Sequence, residues 1–450
     1  MKKRLERLFS LLVAALFFSL IVTSVVHASL EKNRKIDLIY SGNLDGELEP
    51  CGCAVGSDLG GILRRATVLD DLRAKEPGLF VISAGGLISS FSVHDHLTAE
   101  YILKGIAALS YDAIGVQWQD LAYGADFINQ DALPWVTTNG AAIASLATNP
   151  TFPRYREVVR DGVTLAFFSW LNPHQSPLQG VPGSQDTTTQ TTGIAASLKR
   201  ANNKGALTVL STTLSADDAA RLLPLENVDI LIVKSAYEVY GEPQKIGNTL
   251  VIRPGSRGMR LGRLTLTLNT SGAITAHRHS VIELPDAIAD APRLHTWYQA
   301  YNERIKQDYL AEVALRKSLR KGKSAYAGAE SCRSCHQHEY EVWSKSDHSG
   351  AYESLEAVNK SFDPGCIGCH TVAYGKAGGF ISIDLTDTLS GVQCESCHGA
   401  AAAHATNPAE AAVANREWAA PKMCAQCHVQ KHSPDFNFDR YWPHIRHPLR

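Results

Sequence analysis

Two cysteines separated by two residues and followed at once by a histidine recur four times in the C-terminal part of this chain. They are Cys332-Arg333-Ser334-Cys335-His336, Cys366-Ile367-Gly368-Cys369-His370, Cys394-Glu395-Ser396-Cys397-His398 and Cys424-Ala425-Gln426-Cys427-His428. This is the signature by which a c-type haem is attached. Two thiols at that spacing form thioethers to the two vinyl groups of one porphyrin, and the adjoining imidazole reaches the iron. Paired Cys-x-x-Cys units also build tetrahedral zinc sites, but zinc does not ask for a histidine directly after the second cysteine. All four pairs carry it and together use eight of the ten cysteines, so four covalent haems are expected in preference to zinc or disulfides. Residues 326–450 then have little polypeptide left for a core of their own. The expectation is a mainly α, haem-packed multihaem cytochrome domain in which porphyrins supply most of the apolar packing, close enough together for electron transfer.

A chain of 450 residues is too long for one ordinary domain. With 44 Lys and Arg against 45 Asp and Glu, it lacks the basic excess of a nucleic-acid binder. At the start, Lys2, Lys3, Arg4 and Arg7 precede an apolar run over 8–26, and Val26-His27-Ala28 offers a small-residue cleavage site before Ser29. Residues 1–28 read as an export signal. The run is long for a signal, which leaves an uncleaved membrane anchor as the alternative. No cysteine lies near the cleavage point, which argues against a lipid anchor there, and no other stretch is apolar enough to span a bilayer. The expected location is the periplasm or the cell exterior, where cytochrome c maturation and the scarcity of other thiols both fit.

Residues 35–285 alternate short β-branched runs with amphipathic stretches, as in an α/β domain. Strands are predicted at 36–40, 79–83, 163–169, 207–210, 230–233, 250–253 and 263–268. A helix carrying Ile62, Ala66, Leu69 and Leu72 at helical spacing connects the first two. The segments Ser41-Gly42-Asn43-Leu44-Asp45-Gly46, Gly60-Gly61 with Arg64-Arg65, Ala84-Gly85-Gly86, Tyr111-Asp112-Ala113 and Val228-Asp229-Ile230 resemble, in order and surroundings, the 5'-nucleotidase branch of the metallophosphatases. That resemblance implies a β-sandwich flanked by helices and a two-metal centre for phosphate-ester hydrolysis. At the family's ligand positions, however, stand Asn43, Asp45, Gly86, Trp118, Gln119, Thr212, Ser235 and Tyr237. Two hard cations held close together need several carboxylate and imidazole ligands. Only Asp45 qualifies, so the domain is expected to have lost its metals and to be no phosphoesterase. His94, His96 and His174 form no motif and read as surface or core residues.

Directly after the first of these segments comes Cys51-Gly52-Cys53. It resembles the redox-type Cys-Gly-Cys loop of some metallophosphatase-like proteins. A disulfide across one residue is strained and therefore easily reduced. A redox dithiol and a pair of structural or metal-tethered thiols both remain open readings. Residues 288–322 form a helical connector carrying Leu294, Trp297, Tyr298, Tyr301, Ile305, Tyr309 and Leu310 at helical spacing, with its aromatic stripe read as packing that docks the two domains.

Besides the four motif histidines, the C-terminal part holds His338, His348, His404, His432, His444 and His447. The surroundings of His348 (Trp343 to Ala351), of His404 (from Cys397) and of His447 (from Trp442), together with Tyr340 and the Val392-Gln393-Cys394-Glu395 segment, resemble the tetrahaem cytochrome c-554 family. That resemblance implies three irons with two histidines each, with His348, His404 and His447 as distal ligands, and one iron without a distal histidine. His338, His432 and His444 are spares that read as surface or propionate-contacting residues, with one of them completing the fourth site as the alternative. The function expected is an exported electron carrier between redox donor and acceptor proteins, with the N-terminal domain as a docking or redox module. The alternative is an oxidoreductase acting on a small nitrogen or sulfur compound, at an open haem or at Cys51 and Cys53.

Overall fold

A computed structural model of the chain describes residues 33–51, 58–91, 94–140, 152–175, 187–234, 240–320, 322–415, 419–429, 432–433 and 436–447. The apolar run at 8–26 and residues Cys53, Ser235 and Tyr237 lie outside them. The chain forms two compact units. One comprises the chain up to Glu49, Gly60–Phe91 and Ile102–Leu284, and the other Pro50–Leu59, Ser92–Tyr101 and Pro285–Arg450.

The first unit is built on two six-stranded mixed sheets. In the first sheet the strands lie in the order Ile274–Glu283, Arg260–Leu268, Arg34–Ser41, Phe80–Ser83, Ala113–Gly115 and Trp135–Val136. The last four run parallel, and the first two join antiparallel at one side. The second sheet runs Gln244–Ile246, Thr249–Ile252, Ile230–Val233, Leu207–Thr212, Val163–Trp170 and Tyr155–Arg160, with four parallel strands between two antiparallel edges.

Period-two alternation decides which side chains meet between the sheets. Leu38, Tyr40, Phe80, Ile82, Leu264 and Leu266 of the first sheet join Leu165, Phe167, Val209, Ile230 and Ile252 of the second in one buried cluster. Each such side chain contributes about 1.5–3 kcal/mol on burial. On its outer face the second sheet carries Phe168, Trp170, Leu210 and Leu231, covered by Ile194, Leu198 and Ala201 of the helix Thr187–Asn203. The helix Ile62–Lys75 buries Ile62, Leu63, Ala66 and Leu69. This is the β-sandwich flanked by helices that the sequence implies. The loops leaving Ser41, Ser83 and Gly115 bring Asn43, Gly86 and Gln117 together at the carboxyl ends of the parallel strands, where α/β sheets place their sites.

In the second unit the helix His295–Leu319 buries Tyr301, Ile305 and Tyr309, while Leu310 is 53% exposed and lies off that packed face. The stripe packs against the C-terminal segment of the same unit. Tyr309 Oη donates to Ile381 O (3.4 Å), Tyr374 Oη to Glu312 Oε2 (2.9 Å) and Lys360 Nζ to Asn302 Oδ1 (2.7 Å). Beyond it the chain is a series of short helices, the longest being Gln337–Ser344. Large buried apolar side chains in this part are few among the described residues, with Tyr352, Leu355, Phe362, Ile367 and Phe380 the main ones. Among the described residues no helix is long and apolar enough to cross a membrane.

Candidate functional site

Each attachment motif sits on a single helical turn. The second lies on the helix Pro364–His370, whose start is capped by Asp363 accepting from Gly365 N (2.9 Å). The third forms the helix Cys394–His398, and the fourth begins at the end of the helix Ala420–Cys424. In the first and fourth the turn is closed by His336 N donating to Cys332 O (2.9 Å) and His428 N donating to Cys424 O (2.8 Å). Residues i, i+3 and i+4 of a helical turn share a face, so both thiols and the imidazole of each motif present to one side.

Three of these imidazoles face a second one. The ring centroids of His336 and His404 are 6.3 Å apart, those of His348 and His428 6.0 Å, and those of His398 and His447 5.9 Å. Two imidazoles bound through nitrogen at about 2.0–2.1 Å on opposite sides of one metal hold their centroids roughly 6 Å apart. His370 forms no such ring pair among the described residues. Neither do His338 and His444.

The surroundings keep these rings in the ligating form. Burial holds His348, His398 and His428 below the ordinary imidazole value, which favours the neutral ring that a metal requires. His370 Nδ1 lies 2.6 Å from Ala351 O and His404 Nδ1 2.8 Å from Ala411 O. A carbonyl only accepts, so the proton sits on Nδ1 and Nε2 keeps its lone pair. His428 Nδ1 instead meets Ser433 Oγ at 3.1 Å, and Phe436 stacks on the ring at 4.3 Å and 14°.

The thiols adjoin across motifs. The Cys332 thiol adjoins that of Cys394 and the Cys369 thiol that of Cys427, and in each pair the neighbouring thiol holds the first down and pushes the second up. Burial also pushes Cys397 up to about 11. The first and third motifs are therefore neighbours, as are the second and fourth. This donor set, paired thiols beside imidazoles that face each other at about 6 Å, fits c-type haem.

In the first unit the described polar side chains at the phosphatase ligand positions are engaged in hydrogen bonds to protein groups. Gln117 Nε2 donates to Asn43 Oδ1 (2.8 Å), Gln119 Nε2 to Asp45 Oδ1 (3.1 Å) and Trp118 Nε1 to Asn172 O (2.8 Å). Thr212 Oγ1 accepts from Leu214 N (3.2 Å). Gly86 has φ +72°, and a Cβ there would meet Asn43 Oδ1 at 2.7 Å, so any side chain at this position would collide with the pair. Asp120, fully buried, accepts from Gly86 N (2.8 Å), Leu87 N (2.6 Å) and Gln117 N (2.9 Å). Burial pushes its carboxyl up to about 6. Among the described residues no group of three or more His, Cys, Asp or Glu is arranged to hold a metal ion. Cys51 lies on the strand Pro50–Cys51, which pairs with Leu59–Gly60.

Sequence reasoning missed Gln117 and Asp120, whose only signal was their place beside the degenerate motif. It also passed over Ser433 and Phe436. Gln393 and Glu395 lay inside a quoted motif without a role.

The attachment turns and facing imidazoles give the C-terminal part the features of a c-type cytochrome domain, and the paired sheets give the N-terminal unit a metallophosphatase-type sandwich fold. The comparisons agree on both. Residues 331–399 match the family Cytochrome c554 and c-prime. Cytochrome c-554 of Nitrosomonas europaea is 36% identical over 89 residues, 16% of this chain and 38% of that protein. The chain thus spans well under half of that relative's length. For the N-terminal unit, a 5'-nucleotidase precursor from Thermus thermophilus superposes with a TM-score of 0.51 at 16% identity, covering 60% of this chain and 59% of that one. The sulfate thiohydrolase SoxB of the same organism gives 0.50 at 16% identity, covering 61% of each chain. These two likenesses are likenesses of fold.

Proposed function

We propose that the protein is an exported tetrahaem c-type cytochrome that carries electrons between redox donor and acceptor proteins, its sandwich unit being a non-hydrolytic docking or redox module. Residues 1–28 are assigned to the signal, 35–285 to the sandwich domain, 288–322 to the helical connector and 326–450 to the cytochrome domain. The observation that carries the reading is the trio of imidazole pairs with centroids 5.9–6.3 Å apart, each joining one motif histidine to one other histidine.

The cysteine pairs 332/335, 366/369, 394/397 and 424/427 would hold one haem each, with His336, His370, His398 and His428 as proximal ligands. His404, His447 and His348 would be the distal ligands opposite His336, His398 and His428. Haem iron so ligated supplies one-electron redox chemistry. Two histidines per site leave no coordination position for a substrate, which suits a carrier. The adjoining thiols of motifs one and three, and of two and four, support short distances within each pair. In the sandwich unit, mutual hydrogen bonding of Asn43, Asp45, Gln117 and Gln119 supports a site that has ceased to bind metals.

A second reading rests on His370, which has no facing imidazole among the described residues. A site with one protein ligand leaves a position for a small nitrogen or sulfur compound and makes the protein an oxidoreductase. The alternative chemistry at Cys51 and Cys53 gains no support, since Cys53 lies outside the described residues. The test is intact mass and pyridine haemochrome on the purified protein, for four haems per chain, followed by low-temperature electron paramagnetic resonance. One high-spin iron in four is expected. Four low-spin irons would remove the second reading, and fewer than four haems would remove the tetrahaem assignment.

A further inference from the structure

Two buried polar side chains flank Cys394 in the third motif, and neither points to a ligand role. Gln393 and Glu395 are 7% and 3% exposed. The Glu395 carboxylate accepts from Ala327 N at 3.0 and 2.9 Å through its two oxygens, from Gly328 N through Oε2 (2.8 Å), and from Ala401 N through Oε1 (2.8 Å). Gln393 Oε1 accepts from Ala329 N (2.7 Å), while its Nε2 donates to Thr388 O (2.9 Å) and Ser390 O (2.6 Å). Three consecutive amides, of Ala327, Gly328 and Ala329, are therefore held by side chains of another motif.

Those amides belong to the lead-in of the first motif. The carbonyls of Gly328 and Ala329 accept from Ser331 N (3.1 Å) and Cys332 N (3.0 Å), so the turn that presents Cys332 starts on the held residues. Gly328, at φ +79°, permits the approach, because a Cβ there would lie 2.7 Å from Thr388 O. The Cys332 thiol in turn meets that of Cys394.

We infer that Gln393 and Glu395 are positioning residues for the first attachment motif, so that the segment carrying the third motif is the template on which Cys332, Cys335 and His336 are presented. The inference rests on the haem reading above. Its physical basis is acceptor chemistry: the Ala327, Gly328 and Ala401 amides converge on one carboxylate, and the Ala329 amide on the neighbouring carboxamide oxygen. Replacing one carboxylate oxygen by an NH2 group turns a donor toward a donor and leaves a buried amide unpaired.

The experiment uses the full chain matured with haem, as wild type, Glu395→Gln and Gln393→Leu. Haem is counted by intact mass, located by mass spectrometry of the peptides bearing each motif, and its spin state is read by electron paramagnetic resonance. The variants are expected to fall from four haems toward three, the missing one being that of Cys332 and Cys335, or to keep four with an altered signal from the His336 site alone. The peptides of motifs two and four should stay fully loaded. Four haems with unchanged signals in both variants overturns the inference, and so does a loss spread evenly over all four motifs, which is what mere loss of stability would produce. Absence of covalent haem from the wild type would instead overturn the haem reading itself.

Discussion

Removing one imidazole of a facing pair tests the ligand assignment most directly, and His404→Ala is the variant of choice. His404 stands on a short helix, Ala402–Thr406, with its Nδ1 on Ala411 O and its ring 6.3 Å from that of His336. Two metal–nitrogen bonds of about 2.0–2.1 Å plus the two ring radii account for roughly 6 Å, so the gap would suit one metal ion. Alanine retracts the ligand by the whole ring, and no other histidine pairs with His336 among the described residues. One iron then loses its sixth ligand. With four attachment motifs, the high-spin fraction should rise from about one quarter to about one half of the iron. Electron paramagnetic resonance of the oxidised protein gives that fraction, and added imidazole should lower it again. A spectrum in which the high-spin fraction stays where it was refutes the pairing of His336 with His404, and with it the geometric rule used for the other two pairs.

Cyanide titrated into the oxidised protein should saturate at one equivalent per chain, and an optical endpoint at zero or at two would contradict the assignment of His370 as the site lacking a partner imidazole. Asp112→Ala removes the acceptor of Val81 N (2.7 Å) and the ion-pair partner of Arg160, whose side chain is 30% exposed. Because that exposure screens the pair, a loss of about 2–3 kcal/mol is expected from urea unfolding of the sandwich unit. The Asp120 carboxyl is pushed by burial from 3.8 to about 6. The folded state thus keeps a proton that the unfolded chain has released, and the stability it contributes is present below about pH 4 and lost as the pH rises through about 6. That amounts to about 3 kcal/mol, so the stability difference between wild type and Asp120→Asn should shift in the variant's favour from pH 4 to pH 7. A difference flat across that range would refute it.

The readable parts of this sequence were those in which one residue type repeats at fixed spacing or alternates on a buried strand. The attachment motifs needed no fold to be seen, and the buried strands at 36–40, 163–169 and 230–233 announced themselves through runs of apolar residues on both faces. The edge strands Tyr155–Arg160 and Ile274–Glu283 did not. Arg156, Glu157, His277 and Arg278 face solvent, so these strands lack the apolar run that marks a central strand. Leu310 fits the helical stripe by spacing yet is exposed, since periodicity marks a face and not whether anything packs on it. The pairing of distal with proximal histidines was hidden for a different reason. It depends on contacts between residues far apart in the chain, His336 with His404 and His348 with His428, which spacing does not encode. The hold of Glu395 on Ala327 and Gly328 was hidden in the same way.

The register of the first sheet bears on how the chain reaches its native state. Arg34 pairs with Leu268 and Tyr40 with Gly262, so one edge of the first strand of the sandwich waits for a partner more than two hundred residues downstream, while the other pairs with the nearer Phe80–Ser83. Until residues 260–268 arrive, Arg34–Ser41 offers an open edge with Leu38 and Tyr40 on its core-facing side. Closure over so long a loop is slow, and unpaired apolar edges invite association with other chains. A chaperone that shields this one strand during the interval would therefore favour folding over association with other chains.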